Sequence, residues 1–217
     1  MGRKLKYDMP GPDWRRSVDE IRELGWPALF APDLEPPLEL IVEIGFGRGE
    51  FIVDLAGQHP TAAHVGIEVS FKRVLKLARR IAASPLRNLR LVNARGEEVL
   101  RDGLEPDSVA VCWVNFPDPW PKKRHAKHRL IQPAFVERLT TRLVSGGLLR
   151  VATDSRAYAE QIDEVLAAEP QLENAYAPVH WLPEVQGRRH TGYEDEWRAQ
   201  GRPLHFFEYR RIGSSGR

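Results

Sequence analysis

The residues most able to do chemistry stand at positions 115–125, which read Asn-Phe-Pro-Asp-Pro-Trp-Pro-Lys-Lys-Arg-His. The closely spaced prolines restrict the backbone to a stiff, extended path. An acid, Asp118, and an aromatic residue, Trp120, are therefore expected on a rigid loop. Rigidity suits a reaction that depends on alignment, because a misplacement of about 1 Å can slow a reaction ~10²-fold. The string predicts a loop that positions reacting groups.

A run of cations continues this string. The net charge of the chain is only +2, so any strongly basic surface has to be local. The cations that crowd together are Lys122, Lys123, Arg124, Lys127 and Arg129. Such a run would attract the phosphates of a nucleic acid, and the alternative is an ordinary solvated face. Its place directly after the proline loop favours phosphate binding.

Three alternating glycines, Gly45, Gly47 and Gly49, follow a predicted strand. They allow a tight turn that a ligand can approach closely, and the alternative is a turn without a ligand. A dinucleotide fingerprint would need a glycine at position 50, where Glu50 stands and would repel a pyrophosphate. An NAD-dependent dehydrogenase is therefore disfavoured. S-adenosylmethionine has no phosphate, so the same objection does not apply to it.

Polar residues also end the next two predicted strands. Glu68 stands at about the spacing at which such folds place an acid against ribose hydroxyls. Asn93 follows the third strand, where its amide can both donate to and accept from an adenine edge. An acid at a strand end and an asparagine in a turn are also common without any ligand. The combination of Glu68 with the glycine turn predicts a nucleoside site.

The middle of the chain alternates between strand and helix patterns. Strands are predicted at 38–44, 64–68, 89–92, 108–115 and 148–153, and helices at 49–58, 70–83 (with Ser70 as N-cap), 97–101, 130–143 and 155–168. Nearly continuous apolar strands separated by helices indicate an α/β fold with a parallel sheet covered on both faces. Ligands of such sheets bind beyond the carboxyl ends of the strands, where the residues above stand.

The two ends of the chain differ from this middle. We expect an irregular N-terminal arm at 1–37, with one helix around 13–24, which either touches a nucleic acid or packs on the domain. The main domain is predicted at 38–211 and a flexible tail at 212–217. After Pro170 the pattern indicates two strands, 172–179 and 204–211, joined by a long irregular loop that suggests a function.

Composition excludes several classes of protein. With 42% hydrophobic and 29% charged residues the chain is expected to be soluble and globular rather than disordered. No run approaches the ~20 apolar residues of a membrane span, and no apolar segment follows the basic N-terminus as in a signal peptide. Cys112 is the single cysteine, which excludes an internal disulfide and a multi-cysteine zinc site. We expect a cytoplasmic protein without a metal.

The motifs together resemble the tRNA (guanine-N7-)-methyltransferase family, bacterial single-chain type. The resemblance runs from about residue 38 to 211 and is carried by Glu43-Ile44-Gly45-Phe46-Gly47, Gly66-Ile67-Glu68, Phe116-Pro117-Asp118-Pro119-Trp120, Ala152-Thr153-Asp154 with Tyr158, and Thr191-Gly192-Tyr193-Glu194. It implies a Rossmann-like class I fold with a mostly parallel seven-stranded sheet and an antiparallel C-terminal strand. It also implies methyl transfer from S-adenosylmethionine to the guanine at position 46, in the variable loop of tRNA. We expect a monomer or weak homodimer without an obligatory protein partner.

The same resemblance implies roles for individual residues. Donor contacts are expected at Glu43, Gly45, Gly47, Glu68, Asn93, Ala94 and Asp118, and Asp118 is also the expected catalytic residue. Contacts to tRNA are expected at Lys122, Asp154, Thr191, Tyr193 and Glu194, in a late loop that also contains Arg188 and Arg189. Two points stay open. Arg95 rather than Asn93 can stand at the adenine-contacting position, and Asp154 can instead cap the following helix.

Guanine N7 carries a lone pair and no proton, so its methylation needs alignment and charge stabilisation rather than a general base. One rival is an amino-methyltransferase acting on adenine or cytosine, whose Asn/Asp-Pro-Pro-aromatic string this chain matches only at Asn115. A second rival is a non-catalytic RNA-binding protein. The retention of Gly45, Gly47, Glu68 and Asp118 argues against it.

Overall fold

The computed structural model describes residues 7–213, apart from the side chain of Lys123. The chain divides into two compact units, Met1–Gly103 and Leu104–Arg217. The basic residues Arg3, Lys4 and Lys6 of the predicted arm lie outside the described residues, as does most of the predicted tail (214–217).

The first unit contains four parallel strands in the order β1-β4-β3-β2. The residues of β2, β3 and β4 are all buried, as expected for parallel strands whose two faces are both covered. Ile44 pairs with Ile67 and Ile67 with Val92, so these three strands end side by side. The elements are β1 (Arg15–Arg16), α1 (Val18–Phe30), β2 (Leu40–Ile44), α2 (Glu50–Gln58), β3 (Ala63–Ile67), α3 (Phe71–Ala82), β4 (Leu89–Val92) and α4 (Gly96–Asp102).

The helix expected around 13–24 in the N-terminal arm is present but shifted, since α1 spans Val18–Phe30. Ser17 and Glu20 form a capping box that starts α1, which runs to Phe30 with a kink at Gly25. The buried guanidinium of Arg90 lies 4.5 Å from the ring centroids of both Trp14 and Phe30. Hydrophobic periodicity does not reveal this packing, because the residues that hold the segment in place, Trp14 and Phe30, are single aromatic residues outside any repeating pattern. This segment packs on the first unit, and the boundary at residue 37 stays a prediction.

A buried histidine lies in β3. His64 has no exposed surface, and its Nδ1 lies 3.0 Å from the carbonyl oxygen of Ala62 and 3.3 Å from Nδ2 of Asn88. Burial lowers the pKa of His64 from 6.5 to about 4. Between these two values the unfolded chain binds a proton that the folded chain does not. The free energy of unfolding is therefore fully retained above about pH 6.5 and falls as the pH decreases toward 4.

We expect His64→Gln to remove part of the acid sensitivity of the fold. His64 should account for a loss of about 2 kcal/mol in the free energy of unfolding between about pH 7.5 and about pH 5. Urea unfolding of the wild type and the variant at both pH values measures this contribution. His59→Gln, at an exposed histidine near the start of the same strand, is the control and should keep the wild-type pH dependence. An equal loss in wild type and His64→Gln would contradict the assignment.

The second unit contains strands in the order β5-β6-β8-β7. Strand β5 is parallel to β6, whereas β8 is antiparallel to both β6 and β7. Cys112 is buried in β5. The elements are β5 (Val109–Asn115), a 3₁₀ turn (Lys123–His128), α5 (Pro133–Arg142), β6 (Leu143–Thr153), α6 (Arg156–Ala167), β7 (Leu172–Asn174), α7 (Gly192–Ala199) and β8 (His205–Arg211).

The predicted α/β fold class is confirmed, but the number of strands and several element boundaries differ from the prediction. The described residues form eight strands rather than seven, because the two-residue β1 is too short to leave a pattern. Helix α5 starts at Pro133 rather than at 130, since proline is favoured in the first helical turn. The predicted strand 172–179 is only Leu172–Asn174, and the long loop after it contains α7. Among the described residues, none of the helices has the length and apolar character needed to cross a bilayer.

Candidate active site

The glycine turn after β2 is confirmed as a left-handed bend. Gly45, Gly47 and Gly49 have φ values of 80°, 58° and 73°, a region that other residues enter only with strain. Gly49 is also needed for packing, because an added Cβ would lie 2.3 Å from a side-chain carbon of Leu77 on α3. The bend therefore brings backbone amides close to the end of β3.

Glu68 follows β3 and is fixed by the backbone around it. Its side chain is only 4% exposed. Its carboxylate accepts hydrogen bonds from the backbone amides of Gly47 at 3.0 Å and Ser70 at 2.9 Å, and Arg73 lies 3.4 Å away. Ser70 occupies the predicted N-cap position of α3, but its side chain makes no capping bond. Glu68 therefore lies at the glycine turn, and the nucleoside site predicted there stays a prediction.

The other residues assigned to the donor, except Asp118, lie at the same edge of the first unit. Glu43 is buried in β2, two residues before the bend. The Asn93 side chain is exposed, and its Nδ2 donates to the carbonyl oxygens of Glu68 at 2.9 Å and Val69 at 3.0 Å. Its Oδ1 remains as an acceptor. Ala94 is buried, and Arg95 occupies the N-cap position of α4 with an exposed side chain.

In the second unit, Asp118 is exposed on the loop that follows β5. The loop is flanked by two non-glycine residues in the left-handed region, Phe116 at φ 50° and Trp120 at φ 41°. Such backbone conformations cost about 1–3 kcal/mol each and concentrate at functional sites. The amide of Phe116 donates to the carbonyl oxygen of Ala152 on β6 at 2.8 Å, which anchors the start of the loop.

Arg129 braces this loop and is not available to a phosphate, contrary to expectation. Its guanidinium is buried and donates to the carbonyl oxygen of Pro119 at 2.8 Å and to Gln161 at 2.7 Å. It also lies 5.0 Å from the ring centroid of Tyr158, whose hydroxyl accepts from the amide of Ile131. Burial raises the pKa of Tyr158 to about 12, so this hydroxyl stays protonated at neutral pH.

The rest of the basic run is exposed. Lys122, Arg124 and Lys127 have exposed side chains, and the side chain of Lys123 lies outside the described set. The Trp120 ring, 39% exposed, lies 5.8 Å from His125 and 5.4 Å from His128 between ring centroids. The run therefore combines exposed cations with an aromatic cluster around the exposed Trp120 ring.

The late segment is folded around a buried carboxylate. Thr191 caps α7 by accepting from the amide of Glu194 at 3.0 Å. Glu194 has no exposed surface, and its carboxylate is bound by the guanidinium groups of Arg188 and Arg198. Tyr193 is half-buried.

Arg188 links this segment to the end of β5, directly before the loop that carries Asp118. Its Nη2 donates to Oδ1 of Asn115 at 2.6 Å, and Asn115 is the last residue of β5. The guanidinium lies 4.9 Å from the ring centroid of Phe206 and 5.7 Å from that of Trp113. The sequence predicts Arg188 in the long irregular loop after Pro170. Its partner is 73 residues away, so no local signal could have found the contact.

Asp154 follows β6 and does not cap α6. Ser155 occupies the N-cap position, while the Asp154 carboxylate accepts from Arg202 at 3.2 Å. The capping alternative is therefore wrong, and the predicted contact to tRNA stays a prediction. Asn115 pairs with Ala152, so Asp118 and Asp154 follow neighbouring strand ends of this unit. Among the described residues, no group of three or more His, Cys, Asp or Glu could hold a metal ion.

Comparison with known proteins gives the family. The family model described as "Putative methyltransferase" matches residues 38–207. A tRNA (guanine-N(7)-)-methyltransferase of Bordetella pertussis is 50% identical over 179 residues, which cover 76% of this chain and 69% of that protein. One of Alkalilimnicola ehrlichii is 38% identical over 201 residues, covering 87% and 84%. The chain belongs to the tRNA (guanine-N7-)-methyltransferase family. The resemblance seen in the motifs is thereby confirmed.

Solved structures of other methyltransferases share the fold of this family member. The 16S rRNA methyltransferase KamB matches with a TM-score of 0.61 at 16% identity, over 90% of this chain and 92% of KamB. A geranyl diphosphate methyltransferase, solved with sinefungin, matches with a TM-score of 0.55 at 15% identity, over 90% and 76%. At these identities the likeness establishes the fold alone, and the class I methyltransferase architecture is confirmed.

Proposed function

We propose that this protein transfers the methyl group of S-adenosylmethionine to N7 of a guanine in tRNA, at position 46 of the variable loop. The observation that carries the proposal is the loop after β5, where a braced backbone exposes the carboxylate of Asp118 directly before a basic run. The names of the relatives support the same activity.

The first unit is the part that we assign to the methyl donor. The residues fit a phosphate-free nucleoside, because Glu68 offers a fixed carboxylate to ribose hydroxyls and Glu50 disfavours a pyrophosphate. Asn93 keeps its Oδ1 for the exocyclic amine of adenine, which favours Asn93 over Arg95 at that position. We assign Glu43, Gly45, Gly47 and Ala94 to the same ligand. The donor supplies an activated methyl group on a sulfonium.

Asp118 is the residue that we assign to the reaction itself, and the family resemblance also implies a contact with the donor for it. The attacking N7 has a lone pair and no proton, so the protein has no proton to remove. The guanine becomes positively charged as the methyl group arrives, and a carboxylate offsets that charge. The same carboxylate can accept hydrogen bonds from N1–H and N2–H of guanine, which orients the base.

The second unit also supplies the groups that we assign to tRNA. Lys122, with Arg124 and Lys127, is exposed and free to meet phosphates. Asp154, Thr191 and Tyr193 are assigned to the nucleoside side. Glu194 is assigned to the nucleoside side as well, but its carboxylate is buried. We therefore expect it to contribute indirectly, by holding the two arginines that it binds.

Incubation with labelled S-adenosylmethionine and bulk tRNA, followed by aniline cleavage, tests the proposal. We expect label in 7-methylguanosine and cleavage at one position in the variable loop. Glu68→Ala is the control for donor binding and should incorporate little label. Label in a methylated exocyclic amine, located by mass spectrometry, would favour the amino-methyltransferase. Calorimetry without any binding of S-adenosylmethionine would favour a non-catalytic RNA-binding protein.

A further inference from the structure

The outward face of α3 carries positive charge only. Helix α3 contains no acid, while its apolar residues, such as Val74 and Ile81, are buried in the first unit. The other helices of this unit all contain acids. The cations of α3 are Lys72, Arg73, Lys76, Arg79 and Arg80.

Local structure accounts for some of these cations but not for the lysines. Arg73 lies 3.4 Å from the Glu68 carboxylate, and Arg80 donates to the carbonyl oxygen of Gly49 at 2.9 Å. Both therefore support the donor-binding edge. Lys72 and Lys76 are exposed, and the structure gives them no ion pair with any residue between 7 and 213. Their spacing of four residues places them on the same side of the helix.

Two exposed aromatic rings lie at the start of the helix that carries these lysines. Phe71, the first residue of α3, is 44% exposed, and Tyr7 is 63% exposed. Their ring centroids lie 6.3 Å apart. Exposed rings next to unpaired cations are the combination on which unpaired nucleotides bind, because every base has a face that can stack.

We propose that Tyr7, Phe71, Lys72 and Lys76 form a second contact surface for tRNA, which we call the α3 surface. The lysines bind phosphates and the ring pair stacks an unpaired base. This inference rests on the proposed function, since it takes tRNA as the polyanion, and it adds contacts on the first unit to the basic run of the second. The proposal commits to RNA because charge and exposed rings both complement it.

The salt dependence of tRNA binding tests the two lysines. Each lost phosphate contact lowers the slope of log affinity against log salt by about 0.7–0.9, so Lys72→Gln/Lys76→Gln should lower it by about 1.5. Fluorescence anisotropy with labelled tRNA from about 50 to about 250 mM KCl gives the slope. The matched control is Arg138→Gln/Arg210→Gln. It removes two exposed positive charges assigned to neither surface and should change the slope little.

Loss of a ring should change the affinity for tRNA at constant salt rather than its salt dependence. Phe71→Ser or Tyr7→Ser should weaken tRNA binding about tenfold at constant salt and leave the slope unchanged, because stacking releases no counterions. The affinity for S-adenosylmethionine, measured by calorimetry, should stay at the wild-type value in all these variants. A donor affinity lost in Phe71→Ser would overturn the proposal and assign the ring to the donor instead.

An unchanged slope for the lysine variant and an unchanged affinity for both ring variants would also overturn the α3 surface. That result would leave the proposed function intact as long as the wild-type protein still forms 7-methylguanosine. If the wild type forms none, the proposed function fails whatever the slopes are. The two failures are therefore distinguishable.

Discussion

Asp118→Ala is expected to slow single-turnover methyl transfer by about 10²–10³-fold at saturating donor, which is the range for removal of one group that stabilises developing charge. Asp118→Asn keeps the shape and one acceptor but removes the negative charge. We therefore expect the rate of methyl transfer in Asp118→Asn to fall by much of the factor expected for Asp118→Ala. Saturating donor is needed because Asp118 is also assigned to donor contact. The measurement is quench-flow with saturating labelled donor and with enzyme in excess over tRNA.

Two comparisons sharpen this result. Glu137→Gln removes an exposed acid from α5, in the same unit, and should keep the wild-type rate. The pH profile should also lack the signature of a general base, because N7 has no proton to lose. Near wild-type rates in both Asp118 variants would show that the carboxylate has no part in the reaction.

The sequence signals for the glycine turn and for Glu68 at a strand end are local, so the geometry of this part of the candidate site was predictable. Glycines that need positive φ and an acid at a strand end depend only on neighbouring residues and on the direction of the strands. Gly47 and Glu68 are 21 residues apart, yet both follow predicted strands, so their meeting could be deduced from topology. The exposed acid on the proline loop was predictable for the same reason.

The braces of the second unit were not predictable, because they depend on pairs distant in sequence. Arg129 stands in a basic run and has the same residue type as Arg124, yet one is buried and the other exposed. Only the folded chain shows that Arg129 reaches the carbonyl oxygen of Pro119 and the side chain of Gln161. Helix α7 was hidden because the residue that it buries most completely is an acid, Glu194, which hydrophobic periodicity cannot reveal.

Glu194→Ala is expected to cost about 3–5 kcal/mol, because it leaves the buried guanidinium of Arg188 without its carboxylate. The loss should fall mainly on α7 and the residues around it. Hydrogen exchange should show faster exchange of the α7 amides, and urea unfolding should give the total cost. We expect methyl transfer to fall as well, since Arg188 also holds Asn115 at the start of the Asp118 loop. Glu196→Gln, at an exposed position of the same helix, is the control.

A double variant separates the stability of α7 from the role of the Arg188 charge. Arg188→Met/Glu194→Leu removes both charges, and replacement of a buried ion pair by apolar residues is often neutral or stabilising. Arg198 is partly exposed and lies 3.5 Å from Glu184, so it keeps an alternative partner. We expect the double variant to regain most of the stability lost in Glu194→Ala, whereas methyl transfer should stay low because Asn115 has lost the hydrogen bond from Arg188. Full recovery of methyl transfer together with stability would show that the contact between Arg188 and Asn115 has no part in the activity.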